Sequence, residues 1–124
     1  MKQTQRLYLQ FRQHGKTAAQ SLYAAKTLIK FQKLEDKGIV RLRAEPEEEG
    51  YFDVYGEPES KKERESVVHA IEMNGCWWVV AERLCCKKCD TFEHKDSIGM
   101  CIYSDPFDPF ENDYVIDLMH SALV

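Results

Sequence analysis

Apolar positions along the 124-residue chain change their spacing several times, and each change marks an element. From Thr17 to about Lys37, Ala18, Leu22, Ala25, Leu28 and Ile29 recur at helical spacing, with Ala24 and Phe31 widening the stripe. Thr17 is a candidate N-cap, and Gly38 ends the helix because glycine readily takes the left-handed C-terminal turn. "IVRLRAE" (39–45) then alternates as a strand until Pro46. Ser60 and Glu63 form a capping-box pair and open a second helix that Gly75 closes.

"CWWVVAERL" (76–84) is apolar on both alternating faces as far as Val80, which predicts a central strand covered on both sides. "TFEHKDSIGMCIY" (91–103) returns as its antiparallel partner, kinked near Gly99. "YVIDLMHSALV" (114–124) closes the chain as a helix. Two stretches stay open: residues 3–14 fit a short helix or a strand through "RLYLQF", and "YFDVYG" (51–56) fits a short strand or an ordered loop. The resulting expectation is an α+β fold in a single domain, residues 1–124. It is a small antiparallel sheet of three to four strands packed with three helices.

Composition supports a folded globular chain, with 44% hydrophobic and 31% charged residues. No run reaches the roughly 20 apolar residues of a membrane helix, and the N-terminus lacks the apolar core of a signal peptide. A cytoplasmic location follows as an expectation. In that compartment five cysteines read as free thiols or metal ligands rather than as a disulfide framework.

Three of those cysteines crowd "LCCKKCDTFEH" (84–94). Cys86 and Cys89 have the two-residue spacing that lets two sulfurs at a hairpin tip face one ion. A structural zinc needs four ligands, and His94 and Cys101 are the candidates to complete the set, with Cys76 and Cys85 as alternatives. Against this, no second CxxC exists, and a hairpin tip with reduced cysteines and no metal explains the same residues. His94, Asp96 and Ser97 supply the types for acid-base work, but strict alternation would aim Ser97 away from the other two, so no catalytic residue is assigned. The acids Asp105, Asp108, Glu111 and Asp113 do not have EF-hand spacing. The two Asp-Pro-Phe repeats read as rigid turns anchored by Phe107 or Phe110.

The net charge of -4 is unevenly spread. Residues 1–43 are strongly basic, whereas residues 44–60 hold seven acids and no base. Lys26, Lys30, Lys33 and Lys37 fall on one stripe of the long helix, which by default is a solvated face. Overall acidity and the lack of an interleaved basic and aromatic stretch argue against direct nucleic-acid binding. The acidic segment is the better partner surface: Glu47, Glu48, Glu49, Asp53, Glu57 and Glu59 surround Tyr51 and Tyr55, giving aromatic anchors amid unbalanced charge.

The blocks "AAKTLIKFQKLEDKGIVRLRAEPEEEGYFDVYGEPE", "GCWWVV", "HKDSIG" and "DPFENDYVIDLM" resemble a group of small proteins encoded by bacteriophages and prophages, over most of residues 24–120. The resemblance implies a phage or mobile-element origin and carries no cofactor or catalytic residue with it. It makes the leading expectation a non-enzymatic accessory protein that binds a host protein stoichiometrically in the host cytoplasm. A nucleic-acid-handling defence complex is the expected target, which would make the chain an anti-CRISPR-type inhibitor. The alternative is a zinc-knuckle module that binds nucleic acid.

Overall fold

The computed structural model describes every residue except Met1, Lys87 and Cys89. Its elements are α1 (Gln3–Gln13), α2 (Ala18–Asp36), β1 (Val40–Pro46), α3 (Tyr51–Tyr55), α4 (Lys61–Asn74), β2 (Trp77–Leu84), β3 (Phe92–Cys101) and α5 (Asp113–Ala122). The architecture is α+β, with one three-stranded antiparallel sheet in the order β1-β2-β3. Residues 3–13 resolve as helix rather than strand, and the aromatic segment 51–55 is a short helix.

The caps work as the local sequence requires. Thr17 Oγ1 accepts from the Gln20 amide while the Gln20 side chain accepts from the Thr17 amide, and Ser60 Oγ accepts from the Glu63 amide. Gly38 and Gly75 end α2 and α4 at φ 75° and 79°, in the region that side-chain-bearing residues rarely enter.

Helices α2 and α5 pack on one face of the sheet, and α1 packs against α2. Their shared core contains Phe11, Ala25, Leu28 and Phe31 from the first two helices, Val40, Val79, Ala81 and Cys101 from the strands, and Val115, Leu118 and Met119 from α5. The Asp-Pro-Phe loop is tied to this core. Asp105 and Asp108 each accept from the amide two residues on, and the Phe110 ring sits 4.5 Å from that of Phe11.

As expected, β2 is the central strand and is buried on both faces, Val79 and Ala81 on the helix side and Val80 and Glu82 on the other, although among the described residues no helix packs along that second face. Side chains seal it instead. Glu82, only 7% exposed, accepts hydrogen bonds from Arg41 Nε at 2.9 Å and Arg43 Nε at 2.8 Å. The Arg41 guanidinium lies 3.8 Å from the centre of the Phe92 ring, that of Arg43 lies 5.8 Å from Trp78, and Trp78 stacks on His94. Two register shifts between β2 and β3 interrupt the pairing, one extra residue falling at Lys95 and another at Gly99–Met100.

Burial by itself pushes the Glu82 carboxyl up, but hydrogen bonds and charge from Arg41 and Arg43 more than offset it and hold the carboxyl below the ordinary range. The stabilisation is therefore present above the unfolded value of about 4.3 and is lost as pH falls through the depressed folded value. Glu82→Gln is expected to cost about 1–3 kcal/mol near neutral pH, a figure reduced from that of a fully buried pair because both arginines reach solvent. In urea denaturation, the gap between parent and variant should narrow at about pH 3. An equal gap at both pH values would contradict the assignment.

Candidate functional site

The three charged or thiol-rich segments singled out by sequence lie in different parts of the fold. At the β2–β3 turn the Cys85 amide donates to the Thr91 carbonyl at 2.8 Å, closing the hairpin. Cys85 is an exposed free thiol. Cys86 is disulfide-bonded, contrary to the expectation of free thiols, and a sulfur committed to that bond is not a thiolate ligand. Cys89 lies outside the described residues. His94 sits two residues into β3, opposite Glu82 and against Trp78.

Cys101 is at the far end of the same strand, opposite Trp77 and buried in the core. At about 3.3 Å per residue it stands on the order of 30 Å from the turn. The expected set of Cys86, Cys89, His94 and Cys101 is thus corrected: strand length separates Cys101 from the others. Among the described residues no group of three or more His, Cys, Asp or Glu side chains is placed to hold a metal ion.

The extra residue at Lys95 also changes how His94, Asp96 and Ser97 are aimed. His94 pairs with Glu82 and Ser97 with Val80, so those two share the helix-free face. Asp96 pairs with Ala81 and accepts a hydrogen bond from Ser121 Oγ of α5 at 3.1 Å, on the helix side. Strict alternation had grouped His94 with Asp96, and the bulge reverses that grouping.

The acidic segment belongs to an excursion that leaves the sheet after β1 and returns at β2. Its first acid is structural. The Glu47 amide donates to the Cys76 carbonyl at 2.9 Å, and Glu47 Oε2 accepts from the Met100 amide at 3.3 Å. Met100 is held at φ 59°, and a Cβ on Gly99 would stand 2.7 Å from the same oxygen. Glycine at 99 therefore leaves room for this carboxylate at the bulge. Glu57 is also engaged, by Arg64 Nε at 2.8 Å, while the Arg64 guanidinium lies over Phe52.

Glu48, Glu49, Asp53 and Glu59 are exposed and make no ion pair among the described residues. Tyr51 is half-buried against Phe52 and Tyr55. Burial, followed by the nearby Tyr55, Tyr103 and Cys76, pushes its hydroxyl above the ordinary value. Tyr55 stays 63% exposed.

Helix α4 also belongs to this surface, which its residues did not announce in the sequence. The helix has no buried residue, does not pack extensively on any other element, and leaves Met73 70% exposed. Its apolar residues, Val67, Val68, Ile71 and Met73, do not make a stripe as broad as that of α2. That narrowness was the available signal. No family model, curated protein or solved structure matches this chain.

Burial, then the Glu47 carboxylate, then the neighbouring Cys101 sulfur, raise the Cys76 thiol above its ordinary value. Glu47→Gln removes one charge while keeping an acceptor, so alkylation of Cys76, followed by peptide mass spectrometry at about pH 8, should accelerate. Glu47→Ala also deletes the bond to Met100 and should cost about 1–2 kcal/mol in urea denaturation. Glu48→Ala is expected to change neither measurement.

Proposed function

We infer that the chain is a stoichiometric binding protein that docks the β1–β2 excursion onto a basic surface of a host protein. In this reading it is a phage-encoded accessory protein, of the anti-CRISPR or a related host-defence-inhibiting kind, acting in the host cytoplasm without catalysis. The observation that supports it is an excursion that is folded and capped yet makes little contribution to the core. It presents four carboxylates without an ion-pair partner among the described residues, Glu48, Glu49, Asp53 and Glu59, beside exposed Tyr55 and Val54. A helix maintained outside the core suits recognition better than stability, and charge complementarity favours a groove that ordinarily holds phosphates. No helix of the described residues is long and apolar enough to cross a membrane, which accords with a partner met in aqueous solution.

The test uses purified guide-loaded CRISPR effector complexes as probes. Saturation at one protein per complex, with loss of DNA loading, is the expected result. Glu48→Lys, Glu49→Lys and Glu59→Lys together should slow association about tenfold or more at low salt, because exposed charges act chiefly on the encounter rate. Stability should stay within about 0.5 kcal/mol, since these side chains are exposed and have no ion-pair partner among the described residues. Unchanged association of the triple variant would rule out this surface. Failure to bind any effector, or self-association measured by light scattering as the only interaction, would overturn the reading.

A further inference from the structure

The lysine stripe of α2 is solvent-exposed, as the default predicts, but it also lines a concave surface. All four of its members, Lys26, Lys30, Lys33 and Lys37, line a single groove of about 610 Å³ between α2 and the C-terminal end of α5. The other wall consists of His120, Leu123 and Val124, with Thr27 and Leu34 also lining the groove. At one end the Tyr23 and His120 rings meet at 5.3 Å between centres. None of the four ammonium groups has an ion-pair or hydrogen-bond partner among the described residues, although the end of α5 with its terminal carbonyls is adjacent. Eleven residues of helix separate the first from the last, which spreads the charges over roughly 16 Å. Like charges at this spacing repel by about 0.2–0.5 kcal/mol per neighbouring pair.

We propose that this groove binds a small organic polyphosphate of nucleotide size, with phosphates on the lysines and an apolar or aromatic body against Leu34, Leu123 and the Tyr23–His120 pair. Three features select that chemistry. The volume falls in the range of about 300–1,000 Å³ typical of small-ligand sites. The cations are all lysines, compact charges suited to phosphate oxygens, and no arginine lines the groove to grip a carboxylate through two bonds. Acids stand beyond both ends of the groove. Past Tyr23 the neighbouring cavity is lined by Asp117 and by Asp113, which pairs with Lys16, and Asp36 sits in the last turn of α2 beside Lys37, whereas Glu35 faces the cavity on the α1 side. A long polyanion such as a nucleic-acid strand would have to cross those acids, whereas a short one would not. The site is separate from the acidic excursion and does not depend on the function proposed for it.

The experiment titrates the intact protein with magnesium-free adenosine triphosphate, pyrophosphate, a single-stranded oligonucleotide of about 20 nucleotides, and sodium sulfate at matched ionic strength. Amide and side-chain shifts are followed by NMR and affinity by calorimetry. Both phosphate compounds should shift residues 26–37 saturably below about 1 mM, and the nucleotide should also shift Tyr23 and His120 and bind about tenfold more tightly than pyrophosphate. Lys30→Glu with Lys33→Glu should weaken both by about tenfold or more while the melting temperature holds, since both side chains are exposed and the new acids face Lys26 and Lys37 one turn away. Sulfate reproducing the same shifts, shifts that map outside the groove, or binding of the oligonucleotide alone would each overturn the proposal. The last outcome would assign the stripe to nucleic acid instead.

Discussion

The rest of the structure depends on one buried carboxylate. Glu82 lies in the middle of the central strand and is held by two arginines that stand two residues apart on β1. Slipping β1 by one residue would turn Arg41 and Arg43 toward the helices and expose Val40, Leu42 and Ala44. The ion-pair triad and the apolar set of β1 therefore specify the same register from opposite faces. Because the triad also closes its face with the help of Phe92, Trp78 and His94, the sheet needs helices on one side only.

That one-sidedness determines where the remaining chain goes. Helix α2 buries its apolar stripe against the sheet and α5, and the end of α5 gives the exposed lysine stripe the second wall of an open groove. The excursion between β1 and β2, in contrast, has no face of the sheet left to cover. It is attached through Glu47 at one end and through Asn74 at the other, where the Asn74 side chain donates to the Ile102 carbonyl and the Asn74 carbonyl accepts from the Trp77 indole. Two surfaces of opposite charge thus result from one economy of packing.

Much of this was legible in the sequence, where local chemistry and tertiary placement agree. The Thr17 and Ser60 caps, the Gly38 and Gly75 stops, the kink at Gly99 and the Asx turns of the Asp-Pro-Phe loop all follow from side chains acting on their own backbone. The errors share another cause, which is distance along the chain. Whether Cys101 could join Cys86 depended on the length of a strand. Whether Asp96 stood with His94 depended on one extra residue at Lys95, and whether Glu47 was free depended on an amide 53 positions away. The acids Glu48, Glu49, Asp53 and Glu59 keep their expected exposure, and none of them has an ion-pair partner among the described residues. Segment 51–55 was ambiguous for a different reason. Five aromatic-rich residues suit a strand by propensity, and only their enclosure between Gly50 and Gly56 lets them coil into a single turn of helix.

The two bulges of β3 have a consequence beyond re-aiming side chains. β3 is an edge strand, ten residues long, and an uninterrupted edge of that length offers a continuous row of amides and carbonyls to any passing strand. Lys95 and Met100 break that row at two points, so no long flat stretch remains for a foreign chain to template upon. The opposite edge ends in Pro46, which has no amide to donate. A small protein that keeps one sheet face clear of helices is thereby protected against fibrillar self-assembly along the same sheet.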